Sequence, residues 1–143
     1  MQTWQEAHQR GVSFYVTPQG ALRMKNAGLT ASELAALRSH RAAIVAGWLW
    51  TVPEPPDLLD WDTAIAEAMM AQAVSWVAGP AFPPEADWTD VDRAEEALDQ
   101  AWSQRSLPQW VRAVRAWVVA VSQLWPTPGA DETAPDDTAR AAV

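Results

Sequence analysis

Tyr15, Arg23 and Lys25 are the residues whose types and spacing carry the clearest chemistry in this sequence. Val12, Phe14 and Val16 alternate with Ser13, Tyr15 and Thr17, and after Pro18-Gln19-Gly20 a second alternation sets Leu22 and Met24 against Arg23 and Lys25. A period of two marks half-buried strands, and the Pro-Gln-Gly step supplies turn chemistry. If the apolar set points inward, Tyr15, Arg23 and Lys25 share the outer face of one hairpin. Two cations beside an aromatic ring suit an acidic peptide laid along a sheet edge. The same pattern also serves as a solvated face whose charges discourage edge-to-edge pairing. Periodicity alone does not choose between them.

Reaction chemistry is thin by comparison. The two histidines, His8 and His40, have no neighbours that would complete a metal set, and there is no cysteine to serve as nucleophile, zinc ligand or disulfide partner. No HExxH, phosphate-binding Gly-rich loop or nucleophile elbow occurs. The acidic clusters DLLDWD and DWTDVD lack the spacing and central glycine of a calcium loop. They fit helix N-termini, where carboxylates favour the helix dipole. No catalytic residue, cofactor or metal is expected, and the chain reads as a non-enzyme.

The elements that must position the hairpin are helical. Thr3 to Gln9 predicts one or two turns ended by Gly11, a C-cap position. Thr30-Ala-Ser-Glu33 is a capping box opening a helix whose apolar stripe runs through Leu34, Leu37, Ile44, Trp48 and Leu49, with a break at Ser39-His40. Val52-Pro-Glu-Pro-Pro56 cannot continue a helix, since proline lacks the donor and clashes with the preceding turn.

Beyond it, the pairs Trp61/Trp76, Trp88/Trp102 and Trp110/Trp125 bracket three segments and fall 14 or 15 residues apart, which predicts three helices with each pair near one face. Ser106-Leu-Pro-Gln109 offers another capping box, and Trp110, Val114, Trp117, Val121 and Trp125 form an amphipathic stripe with Arg112 and Arg115 off it. Ten tryptophans at helical spacing point to core and inter-helix packing, with two or three of Trp48, Trp50, Trp61 and Trp88 left to face a partner. Gly79-Pro80 and Pro83-Pro84 predict a rigid loop, and the acidic stretch after Trp125 predicts disorder.

The organisation expected is therefore a module over residues 1–50, a Pro-rich linker over 51–60, a Trp-rich helical module over 61–125 and an acidic tail over 126–143. Charge divides along the same line. Residues 1–50 hold five bases against two acids, net +3, whereas residues 51–143 hold five arginines against sixteen acids, net −11, for −8 in all. The basic front half is anion-seeking, but direct nucleic-acid binding is not expected of so acidic a chain. No apolar run approaches the roughly 20 residues of a membrane span. MQTWQEAHQR has neither the basic nor the apolar region of a signal peptide, so a cytoplasmic protein is expected.

Gly11-Val12, Gly20, Leu22-Arg23, Lys25, Leu29-Thr30, Glu33-Leu34, Leu37-Arg38 and His40-Arg41-Ala42, in that order and spacing, resemble the TubC-type N-terminal docking domain of nonribosomal peptide synthetases over residues 3–50. The resemblance implies an αββαα module, a homodimer, and an exposed hairpin that binds an acidic C-terminal tail of another protein. It implies Arg23 and Lys25 as the hairpin bases, with Arg38 and Arg41 as helpers. The chain resembles standalone docking-like proteins of bacterial plasmids and phages, joined to small Trp- and Ala-rich helical regions, better than it resembles the synthetase-fused domains.

The fold expected is α+β and mainly α, with the three-helix module packed on the docking-like one. The function expected is a protein–protein adaptor that binds an acidic linear motif. A second reading makes the chain an accessory or regulatory factor of a mobile element's replication, repair or defence system, acting through its acidic Trp-rich half. Asp131, Glu132, Asp136 and Asp137 of the tail are themselves ligands that a basic hairpin would accept.

Overall fold

A computed structural model describes residues 1–26, 28–77, 82 and 85–124. It is α+β and mainly α. In chain order the elements are α1 (Trp4–Gln9), β1 (Ser13–Val16), β2 (Leu22–Lys25), α2 (Ala31–Ser39), α3 (Arg41–Thr51), α4 (Thr63–Val77), α5 (Thr89–Gln104) and α6 (Leu107–Ser122). The loop expected to be rigid at Gly79-Pro80 and Pro83-Pro84, Trp125 and the acidic tail of 126–143 lie outside the described residues. None of the helices among the described residues is long and apolar enough to cross a membrane.

Local chemistry sets most of the boundaries. Thr30 Oγ1 accepts the Glu33 N–H at 3.1 Å while the Glu33 carboxylate accepts the Thr30 N–H at 3.1 Å, the full capping box of α2. α2 ends at Ser39, and His40 turns the chain directly into α3. At α6 only the serine half of the box forms, with Ser106 Oγ accepting from Gln109 N–H at 3.4 Å. The Ser106 N–H already donates to Ala101 O at 3.0 Å, which leaves the Gln109 side chain no donor to reach.

The hairpin turn closes through the Gly20 N–H to Thr17 O at 2.9 Å and the Thr17 N–H to Ala21 O at 2.9 Å. Gly20 has φ +89°, and a Cβ there would stand 2.3 Å from Leu58 O, so its lack of a side chain lets the turn press onto the Pro-rich segment. The Asp60 N–H donates to Gly20 O at 3.0 Å across that contact.

The largest apolar cluster runs across that segment. Val45, Ala46 and Leu49 of α3 pack with Ile65, Ala66, Met69 and Ala73 of α4 and with Leu107, Trp110, Val111 and Val114 of α6; Leu59 joins from the connecting segment. A smaller cluster of Ala7, Val12, Leu37 and Ile44 seats α1, the start of the hairpin and α2 on the other side of α3. α5 lies along α6, with Val91 meeting Ala120, Val121 and Leu124. Close approach of α1 to α3 depends on Gly47, where a Cβ would lie 2.7 Å from Trp4 Cβ.

The tryptophans join elements rather than line single helices. Trp61 precedes α4 and forms edge-to-face contacts with Trp102 of α5 at 5.1 Å and Trp110 of α6 at 6.1 Å. Trp50 meets Trp76 at 4.5 Å, and Phe14 lies between Trp4 and Trp48 at 5.6 and 5.4 Å. Within the two pairs that are fully described, the rings meet different neighbours: Trp61 meets Trp102 while Trp76 meets Trp50, and Trp88 meets Phe82 while Trp102 meets Trp61 and Trp110. Trp76, at 57% exposure, is more open than Trp88 at 39%, and Trp48, Trp50 and Trp61 are half-buried.

Arg115 has a role its place off the α6 stripe did not announce. Its guanidinium reaches the C-terminus of α3, with Nη2 donating to Leu49 O and, at 2.6 Å, to Val52 O, and Nη1 to Pro53 O at 3.1 Å. Helix C-termini leave carbonyls without intrahelical partners, and a cation there also complements the dipole. Burial lowers the Arg115 pKa, with Glu54 opposing. Arg112 ties the same segment by bonds to Asp57 at 3.1 Å and Glu54 at 3.6 Å.

Replacing Arg115 with Met keeps the aliphatic stem and removes all the donors. Since hydrogen bonds to charged groups are worth about 1.5–3 kcal/mol net, Arg115→Met is expected to cost about 2 kcal/mol. Thermal unfolding by circular dichroism should then show a midpoint roughly 6 °C lower.

Candidate functional site: the outer face of the hairpin

Strand register builds this face. Ser13 pairs with Lys25, Phe14 with Met24, Tyr15 with Arg23 and Val16 with Leu22. Phe14, Val16 and Leu22 pack against the large cluster, and Phe14 and Met24 against the small one. Ser13, Tyr15, Arg23 and Lys25 are exposed on the opposite face. Tyr15 is 45% exposed and its ring carries Lys25 Nζ 5.5 Å from its centroid, within cation–π range. Arg23 lies directly across from the same tyrosine. One aromatic ring and two cations thus share this face.

The backbone adds a second kind of opening. The Thr17–Ala21 hydrogen bond sets the phase of the ladder. Alternation then makes Tyr15–Arg23 and Ser13–Lys25 the hydrogen-bonded pairs, and turns the N–H and C=O groups of Phe14, Val16, Leu22 and Met24 outward. The sheet has two strands, so both are edges, and these outward groups meet no hydrogen-bond partner among the described residues. Unpaired edge groups are a template for another extended segment.

The cations of the front half divide into engaged and unengaged. Arg10 is held by Glu33 in a two-pronged ion pair, with Nη2 to Oε1 at 2.7 Å and Nε to Oε2. Arg41 Nη1 bonds Asp62 Oδ2 at 3.1 Å, locking the first residue of α3 to the start of α4. Arg23, Lys25 and Arg38 form no ion pair among the described residues. Of the five residues singled out in the sequence, Tyr15, Arg23 and Lys25 are brought together. Arg38 stands exposed in the last turn of α2, free to take an anion of its own. Arg41 is occupied structurally, which leaves it a poor helper for a ligand.

Among the described residues no group of histidine and carboxylate side chains could hold a metal ion. A second residue set forms no motif that the sequence announces. Glu95, Asp99 and Trp102 follow each other at helical intervals on one face of α5, lining a cavity with Trp110. The spacing was visible, but the depression between α4, α5 and α6 was not.

No family model matches the chain, and no curated protein and no solved structure matches it significantly.

The Arg10–Glu33 pair that braces α1 against α2 beneath the hairpin has a pH signature. Hydrogen bonding from Arg10, then from the Thr30 N–H, lowers the Glu33 pKa from 4.5 to about 2. A carboxylate with a depressed folded-state pKa contributes stability above its unfolded pKa and loses it as pH falls toward the folded value. Melting curves from pH 7 to pH 2 should show Glu33→Gln below the native chain at neutral pH. The native midpoint should then fall faster between pH about 4.5 and about 2, so that the two converge at the acid end.

Proposed function

We propose that this protein is a non-catalytic docking protein whose hairpin captures an extended, acidic segment of a partner. The observation that carries this reading is the coincidence, on one small sheet, of two cations without carboxylate partners among the described residues, an aromatic ring in contact with one of them, and open strand edges. Strand addition draws affinity from main-chain hydrogen bonds and selectivity from alternate side chains. A strand added along β2 would set every second side chain on the same face as Arg23 and Lys25 and next to them, where a carboxylate finds a cation. Arg38 offers a further positive charge outside the sheet.

The resemblance to the TubC-type docking domain supports the same reading from the sequence side, through Leu22-Arg23 and Lys25 in particular. The observed order of α1, β1, β2, α2 and α3 agrees with the αββαα arrangement it implies. Long-range charge supports it too, since the +3 front half would draw an acidic chain while the back half repels one.

The full chain is the object to test, because the apolar cluster of α3, α4 and α6 leaves residues 1–50 without a complete core of their own. A fluorescein-labelled decapeptide of alternating Glu and Thr should bind at low salt and weaken as salt screens the contact. A Lys–Thr decapeptide should not bind. Arg23→Glu with Lys25→Glu replaces two attractions of about 0.5 kcal/mol each with repulsions of similar size, so affinity measured by fluorescence anisotropy should fall about 30-fold. Undiminished affinity in that double variant, with an unchanged circular dichroism spectrum, would overturn the proposal.

A further inference from the structure

The cavity of about 450 Å³ between α4, α5 and α6 is lined by Met70, Glu95, Leu98, Asp99, Trp102 and Trp110. We propose that it is a binding site for an organic cation, an ammonium or guanidinium head carried on an alkyl chain. The proposal is independent of the hairpin and uses none of its residues.

The walls have the chemistry of such a ligand. Trp102 and Trp110 meet at a ring distance of 5.4 Å with their planes 59° apart, so the two indoles form a wedge. Indole is the ring that attracts cations best, and the attraction grows where water is excluded. This set of rings already receives one cation from its own chain. The Arg105 guanidinium lies 5.3 Å from the Trp102 ring and 5.6 Å from Trp61. Arg105 and Trp61 do not line the cavity, so that cation does not fill it.

The rim supplies the charge. Glu95 and Asp99 stand one helical turn apart on α5, a like-charged i,i+4 pair that disfavours the helix until a cation comes between them. Neither makes an ion pair among the described residues. Glu95 is nevertheless held in place, because the Trp117 indole N–H donates to its Oε2 at 3.3 Å and leaves Oε1 for a ligand. Trp110 is anchored in the same way, its indole N–H donating to Ala66 O at 3.0 Å.

The apolar part of the lining fits an alkyl stem beside the charged head. Leu98 is buried and Met70 half-buried, and the polarisable Met side chain adapts to a ligand's shape. The volume falls within the usual range for ligand sites, roughly 300–1,000 Å³. Carboxylates alone on a helix would be a solvated rim. Here they border an aromatic cavity whose lining is otherwise apolar, and that combination selects a hydrophobic cation over a metal ion or a neutral molecule. The net −11 of residues 51–143 would draw such a ligand toward it.

The test uses the full chain and the indole N–H resonances of Trp102 and Trp110, assigned by single Trp→Phe variants. Tetramethylammonium chloride should shift both resonances saturably against a matched sodium chloride background. Its neutral isostere tert-butyl alcohol should not. The isosteric double variant Glu95→Gln with Asp99→Asn alters two exposed side chains, so the fold should persist, and its affinity should drop at least tenfold.

A blocked Gly-Lys-Gly peptide compared with tetramethylammonium distinguishes the two sources of the cation, with the norleucine peptide as its uncharged control. Tighter binding of the lysine peptide than of tetramethylammonium assigns the site to a partner's side chain, and the reverse order assigns it to a free alkylammonium. Equal responses to charged and neutral probes, no saturable shift with any cation, or full affinity in the double variant would each overturn the proposal.

Discussion

Helix α3 buries apolar residues in two directions at once, and the rest of the structure depends on that. Ile44 faces the cluster that holds α1, the hairpin and α2, while Val45, Ala46 and Leu49 face α4 and α6. A helix apolar around most of its circumference is stable only when covered on more than one side. Each fully buried side chain of this size contributes about 1.5–3 kcal/mol, so neither half of the chain can withdraw without stripping α3. Its C-terminus is bound into the same arrangement by Arg115, which reaches from α6 to Leu49 O and Val52 O, whose i+4 residues are prolines without an N–H, and to Pro53 O just beyond. The Pro-rich segment is consequently a strapped corner, pinned by Leu59 in the core and by Arg112 and Arg115 at its surface.

The recognition surface we propose on the hairpin rests on that support. A two-stranded sheet is marginal by itself in water. Phe14, Val16, Leu22 and Met24 anchor this one from behind, and Gly20 fits its turn onto Leu58 and Asp60. The outer side chains and both strand edges are thereby left free of structural duty. The same division appears among the cations. Arg10 and Arg41 hold helices together through Glu33 and Asp62, whereas Arg23, Lys25 and Arg38 carry charge that no described carboxylate neutralises. Position on the fold decides which arginine is structural and which is available.

The tryptophans follow a related logic. Each brings a large apolar area and one donor, and four of the donors have an acceptor: Trp50 on Gln72 Oε1 at 3.1 Å, Trp61 on Thr63 Oγ1 at 2.9 Å, Trp110 on Ala66 O, Trp117 on Glu95. Gln72 in turn donates to Ala43 O at 3.0 Å, so α3 and α4 are joined by a polar relay through an otherwise apolar contact. Rings fixed in this manner keep their faces in defined directions. The molecule therefore presents two surfaces of opposite charge, a basic aromatic sheet face in its front half and a cavity bordered by carboxylates and indoles in its back half.

By itself the amino-acid sequence determined the local structure. Alternation at 12–17 and 22–25 placed the strands and their inner faces, the Thr30/Glu33 pair placed the start of α2, and Pro53 to Pro56 stopped α3, because strand periodicity, capping and proline sterics act within a few residues. Tyr15, Arg23 and Lys25 were legible as one face for the same reason. Tertiary structure alone decided what lies across from each face. Arg41 reads like Arg38 until Asp62 folds against it, Arg115 reads as a surface residue until the end of α3 arrives beneath it, and the tryptophan spacing does not say which rings will meet. Those outcomes depend on contacts between residues 21 to 66 positions apart. A periodic pattern states which side of a helix is apolar, and only the packing of three helices turns Glu95, Asp99 and Trp102 into the border of a cavity.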